Sequence, residues 1–228
     1  MGKRGPKPKK QVDTHWRSEL AYAVGLIATD GCLSKDGRHI DLTSKDLDQL
    51  ETFRKCLGLS VRVGYKGGRS HNKRYGRIQF GDVNFYQFLL RLGLTPKKSK
   101  TLGALKIPQH YFFHFLRGCF DGDGHVYSYF DPRWRNSFIF YVGFTSASDT
   151  HLRWLQRKLG QLLGVRGRFS RSVNNSATTL RFAKREGAKI LQAIYRDKSD
   201  YFLKRKYDKV KKILEINAQV AELVYAAG

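Results

Sequence analysis

The chain has 228 residues, with 43 Lys and Arg against 19 Asp and Glu, for a net charge of +24. Such a surplus repels itself unless a polyanion neutralises it, so nucleic acid is the expected partner. Three cysteines (Cys32, Cys56, Cys119) without CxxC spacing argue against a disulfide framework and for a reduced, intracellular protein. No apolar run approaches the roughly 20 residues that span a bilayer, and no secretory signal is visible.

Residues 1–15 are expected to form a basic, disordered arm, with Lys3, Arg4, Lys7, Lys9 and Lys10 as its cations. The first helix is predicted over Trp16 to Thr29. Its Ala21, Gly25 and Thr29 fall four apart and leave one face small. It ends on Asp30-Gly31, with Gly31 expected in the left-handed conformation that closes helices. A strand pair follows, in which Ile40 and Leu42 oppose His39, Asp41 and Thr43. The next helix, Asp46 to Leu57, carries the stripe Leu47, Leu50, Phe53 and Leu57, with Gly58 as C-cap. Val61 and Val63 alternate with Ser60, Arg62 and Gly64 in a third strand, and Ile78-Gln79-Phe80 lies in a fourth.

The chain then repeats itself. Residues 116–124 (Leu-Arg-Gly-Cys-Phe-Asp-Gly-Asp-Gly) restate residues 23–31 (Ala-Val-Gly-Leu-Ile-Ala-Thr-Asp-Gly). Gly118 and Gly122 again make a small face, and Gly124 is again the expected helix-ending glycine. Arg117 interrupts the apolar face and is expected to point outward, to solvent or phosphate. Phe138, Phe140, Val142 and Phe144 share one strand face, and Asp41-Leu42-Thr43-Ser44 matches Gly143-Phe144-Thr145-Ser146. Thr150 to Leu163 reads as a helix closed by Gly164. Val165, Gly167 and Phe169 alternate with Arg166, Arg168 and Ser170, and Leu180-Arg181-Phe182 matches the fourth strand. One insertion, between Tyr127 and Ser137, separates the copies' registers, as a loop tolerates. The fold class is therefore α+β: two pseudo-symmetric αββαββα repeats, residues 16–109 and 110–228.

Each repeat is expected to be a one-sided antiparallel sheet with helices on its apolar face. The open faces would join into a basic trough, and a two-stranded ribbon fits the major groove of DNA. Candidate base or phosphate contacts are Arg38, Arg62, Lys66, Arg69, Lys73, Arg74, Arg77 and Gln79 in the first repeat. In the second they are Tyr141, Arg166, Arg168, Arg171, Asn174 and Arg181. Arg suits guanine and Gln suits adenine, and Lys more often meets phosphate.

Small residues at i, i+4 let two helix backbones approach closely, so the two motif helices are expected to pack on the pseudo-two-fold axis. That places Asp30 and Asp123 together at helix C-termini, where the dipole is already negative and carbonyls are unpaired. A divalent cation removes the conflict, and hard oxygen ligands of this kind suit Mg²⁺ completed by phosphate. His110 and His114, four apart, lack the further ligands a zinc site needs.

The duplicated motif and the order of elements resemble the LAGLIDADG homing endonucleases in their single-chain, two-repeat form. The resemblance covers about residues 16 to 212. It implies a monomer that cuts both strands of a long double-stranded DNA site. It further implies that Asp30 and Asp123 ligate Mg²⁺ with help from the carbonyls of Thr29 and Gly122. Mn²⁺ would substitute, and Ca²⁺ would bind without supporting cleavage. The resemblance also implies a basic residue at each site, Lys98 and Lys206, and a polar residue on a strand of each sheet, Ser44 and Ser146. Two alternatives share the fold: a maturase that binds intron RNA, and a DNA-binding regulator without nuclease activity. The regulator would be expected to lack Asp30 or Asp123, and both are present.

Overall fold

A computed structural model of the chain describes residues 10–67, 74–134, 137–171, 177–197 and 201–226. The first repeat runs α1 (Ser18–Thr29), β1 (Gly31–Leu33), β2 (His39–Ser44), α2 (Leu47–Leu57), β3 (Gly64–Gly67), β4 (Arg74–Gly81) and α3 (Val83–Leu92). The second runs α4 (Phe112–Asp123), β5 (Gly124–Phe130), β6 (Phe138–Ser146), α5 (Asp149–Leu163), β7 (Arg168–Arg171), β8 (Thr178–Ala183), α6 (Lys184–Ile194) and α7 (Lys204–Ala226). Both sheets are antiparallel and share one strand order, β1-β2-β4-β3 and β5-β6-β8-β7.

Period-two alternation accounts for the sheets' two faces. Ile40, Leu42, Ile78 and Phe80 are buried in one, and Phe138, Phe140, Val142, Phe144, Leu180 and Phe182 in the other. Each large apolar side chain removed from water contributes about 1.5–3 kcal/mol before entropy is charged against it. Gly58 and Gly164 close α2 and α5 at φ 65° and φ 66°, the left-handed cap their positions demand. Leu47, in the first turn of α2, stays 46% exposed rather than joining the core stripe. The segments around Val61 and Val165 pack on the core but precede the strands, which start at Gly64 and Arg168.

The motif helices α1 and α4 form the main contact between the repeats. A Cβ on Gly25 would sit 2.2 Å from the Phe115 carbonyl oxygen, and one on Gly118 would sit 2.1 Å from that of Tyr22. Any side chain at either position would force the backbones apart. Gly31 and Gly124 differ from expectation. Neither has a positive φ, and Gly124 is extended (φ −75°, ψ 154°), so each chain passes directly from helix into strand. Glycine is required there for room: a Cβ would meet the Cα of Ile27 or of Phe120 at 2.6 Å.

Residues 11 and 12, expected in a disordered arm, are held on the body of the protein. Val12 is fully buried, and the Gln11 and Val12 amides donate to Asp82 Oδ2 at 2.7 and 2.9 Å. Asp82 also caps α3 through the Phe85 amide, so one carboxylate anchors both the arm and the helix. Residues 1–9 lie outside the described residues.

Candidate nucleic-acid interface and acidic centre

Asp30 is the C-cap of α1, and Asp123 is the last residue of α4. Close packing of the helices carries the two chain ends to one point. Asp30 Oδ2 lies 3.0 Å from where a Cβ on Gly122 would stand, and Thr29 Oγ1 lies 2.0 Å from it. The carboxylates reach solvent, yet protein crowds them. That desolvation, with the like charge of Asp123 added, pushes Asp30 up to about 6. Desolvation raises Asp123 as well, with Lys206 and Lys98 opposing the rise.

Each acidic end carries one lysine. Lys98, on a short turn after α3, is buried and donates to the carbonyls of Thr29 (3.2 Å) and Gly31 (2.6 Å). Lys206, in the first turn of α7, donates to the carbonyls of Phe120, Gly122 and Gly124 at 2.7, 2.8 and 2.6 Å. Each ammonium thus joins carbonyls at the helix end, where partners within the helix run out, to the first carbonyl of the strand that follows. Burial lowers both lysines, Lys206 to about 8, and the carboxylates partly restore them. The structure thus gathers Asp30, Asp123, Thr29, Gly122, Lys98 and Lys206 at one centre. Two carboxylates and two carbonyls, each oxygen with a second lone pair, form a hard-oxygen donor set that fits Mg²⁺.

Asp121 belongs to the same junction and was not singled out in the sequence. It is 1% exposed and accepts from the Leu203 amide (2.7 Å), Tyr22 Oη (2.9 Å) and Tyr195 Oη (3.3 Å). Burial nevertheless raises it to about 6. Tyr22 comes from α1, and Gln49 Nε2 of the first repeat donates to the Asp121 carbonyl at 3.1 Å, so this residue ties the repeats together. Its counterpart in the first repeat is Ala28. The Asp-Gly-Asp pattern at 121–123 is the only sequence signal that marks it.

Arg117 corrects an expectation. It points inward and is 1% exposed; its Nε donates to the Ile194 carbonyl at 2.5 Å, and its guanidinium packs on the rings of Tyr195 and Tyr201. The aromatic surroundings cover a side chain that helix position alone would send to solvent. His114 joins the same cluster through Tyr201 and Asp197. Among the described residues, no three His, Cys, Asp or Glu cluster as a metal site.

Strand register sorts the remaining candidates. Lys66, Arg77 and Gln79 share the open face of the first sheet, where Arg77 pairs with Asp41 at 2.9 Å. Tyr141, Arg168 and Arg181 share the open face of the second. Tyr141 and these arginines, with Arg166, Arg185 and Glu186, line an open cavity of about 730 Å³. Arg38 and Arg62 are exposed beside the first sheet, in the turn before β2 and the segment before β3. Arg171 is on the other side. It has the parity of Phe169, opposite the buried Thr178, and it pairs with Asp149 at the start of α5. Ser44 and Ser146 also have helix-side parity, and their hydroxyls accept the Asp46 and Ser148 amides at the turns into α2 and α5. They do not face the trough. Arg69, Lys73 and Asn174 lie outside the described residues, as does the side chain of Arg74. Tyr127 and Tyr129 were missed, although alternation from Gly124 places them on the open face beside Tyr141.

No family model and no curated protein sequence matches the chain. Solved structures do. Full-length DUF199/WhiA from Thermatoga maritima is 16% identical, with 94% of this chain and 69% of that one covered, at a TM-score of 0.56. The LAGLIDADG homing endonuclease I-LtrWI bound to target DNA is 14% identical over 89% of this chain and 91% of that one, at 0.57. I-DmoI in complex with DNA and Mn is 16% identical over 80% of this chain and 98% of that one, at 0.51. A likeness this extensive at such low identity is a likeness of architecture, and the chain has the two-repeat α+β fold of LAGLIDADG domains.

Proposed function

We propose that this chain is a monomeric LAGLIDADG homing endonuclease that makes a double-strand break in a long DNA target by Mg²⁺-dependent phosphodiester hydrolysis. The observation that carries this reading is the meeting of Asp30 and Asp123 at two helix C-termini, with Lys98 and Lys206 beside them. A protein that needed only a stable interface would gain from neutral residues there, because both carboxylates are raised by their surroundings. The structures of I-DmoI with DNA and Mn, and of I-LtrWI on target DNA, support the same reading by analogy of fold.

Asp30 and Asp123, with the carbonyls of Thr29 and Gly122, would hold the divalent ion. Bound there, it would supply a water of lowered pKa and stabilise the leaving oxygen. Lys98 and Lys206 hold the helix ends in place and set positive charge beside the position of a scissile phosphate. The basic open faces hold the duplex through phosphate contacts, so binding should weaken steeply with salt.

The test is incubation of the purified chain with a randomised or genomic duplex library in Mg²⁺ and, separately, in Ca²⁺. Recovery of a discrete set of cut sites in Mg²⁺, with the same sites bound and uncut in Ca²⁺, is the expected result. Binding without cutting in Mg²⁺ would make this a regulator on the same fold, and preference for structured intron RNA over duplex DNA would make it a maturase.

A further inference from the structure

The open faces of the two sheets are not equivalent. β1 pairs with β2 over three residues, Gly31 to Leu33, whereas β5 pairs with β6 over seven, Gly124 to Phe130. Both hairpins start at the acidic centre and run away from it. The four additional residues extend the second by about 14 Å at a rise of about 3.4 Å per residue. That is the length of about four base pairs, at about 3.4 Å between phosphates along one strand.

The additional length carries a specific surface. Tyr127, Tyr129 and Tyr141 stand on the open face with rings 5.4 and 6.0 Å apart and planes within 22° of parallel. Arg181 lies over the Tyr141 ring at 4.7 Å. Tyr127 and Tyr129 are 43% and 39% exposed. Rings at this spacing are already in mutual contact, so no base enters between them. The exposed part of the row offers ring edges and hydroxyls, which both donate and accept hydrogen bonds; the Tyr129 and Tyr141 hydroxyls also meet each other. That suits base edges in a duplex groove better than splayed bases of a single strand, which need open ring faces. Among the described residues, Arg168 and Arg181 pair with no carboxylate, so this sheet keeps its positive charge, whereas Arg77 of the first sheet is paired with Asp41.

We infer that the second repeat reads a longer arm of a lopsided duplex DNA target, up to about four base pairs beyond the reach of the first repeat, and that the Tyr127–Tyr129–Tyr141 row reads base edges in that added stretch. This rests on the endonuclease reading above and specifies the shape of its substrate.

The test is a binding selection in Ca²⁺ from a duplex library with a wide randomised core, using the full chain and the variant carrying Tyr127→Phe and Tyr129→Phe. Phenylalanine keeps the ring row and removes only the hydroxyls. The wild-type sites should show sequence preference reaching further from the centre on one arm. The variant should lose preference at the outer positions of that arm alone, with affinity for the wild-type site down several-fold. Arms of equal length, or a variant that selects the wild-type sites unchanged, would overturn the inference while leaving the endonuclease reading intact. Failure to enrich any duplex would overturn both.

Discussion

At the pseudo-two-fold axis the two repeats are close copies, and away from it they diverge. Asp30 and Asp123, Gly25 and Gly118, and Lys98 and Lys206 occupy corresponding places, because each must meet its counterpart or serve an equivalent helix end. Outside that zone the first repeat has a three-residue β1 and an Arg77 paired with Asp41. The second has a seven-residue β5, a tyrosine row and, among the described residues, Arg168 and Arg181 without a carboxylate partner. On the proposed endonuclease reading, chemistry performed twice would constrain the axis in pairs, whereas an asymmetric partner would leave each sheet free to differ.

The axial packing should be the least tolerant part of the molecule. Gly118→Ala brings a methyl group against the Tyr22 carbonyl and should cost about 3 kcal/mol. Gly103→Ala, where nothing lies within 4 Å, should change stability by less than about 0.5 kcal/mol. Denaturant titration of both variants checks the contrast. Asp121→Ala follows, at about 2 kcal/mol in the same measurement, because it leaves the Leu203 amide and Tyr22 hydroxyl buried without their acceptor.

A smaller effect distinguishes the acidic centre by its pH dependence. Asp30 is raised in the folded protein, so the folded state holds its proton more tightly than the unfolded state does. The associated stability is present below the unfolded pKa of about 3.9 and is lost as pH rises through about 6. In EDTA, Asp30→Asn should therefore melt higher than wild type at pH 8 and alike near pH 4. A constant difference across that range would break the assignment.

The smallest effect tests the sheet register. Arg171→Ala should cost less than about 1 kcal/mol, as an exposed ion pair does, and leave duplex affinity within about twofold. Arg168→Ala and Arg181→Ala should each weaken duplex binding several-fold, since both stand on the open face of the second sheet. Fluorescence titration on one labelled duplex separates the two outcomes.

Much of this comparison is legible in the sequence. Strict alternation in 138–144, glycines at 58 and 164, and the repeated Asp-Gly ends fix strand faces, caps and axis through local geometry. The misread positions depend on partners distant in sequence. Arg117 is inward because Tyr195 and Tyr201 cover it, and Val12 is docked because Asp82 holds its amide. Arg171 shows a different difficulty. A basic residue beside a basic trough looks like a ligand contact until register sets its face, and a shift of one residue reverses that face.

The central claim is that Asp30 and Asp123 form one metal-dependent cleavage centre. Its most direct test is double-strand cleavage of a selected duplex in Mg²⁺ by wild type, Asp30→Asn and Asp123→Asn, with affinity for the same duplex measured in Ca²⁺. Each substitution should abolish double-strand cleavage and leave affinity within a few-fold. A doubly substituted protein that still cuts both strands would contradict the account.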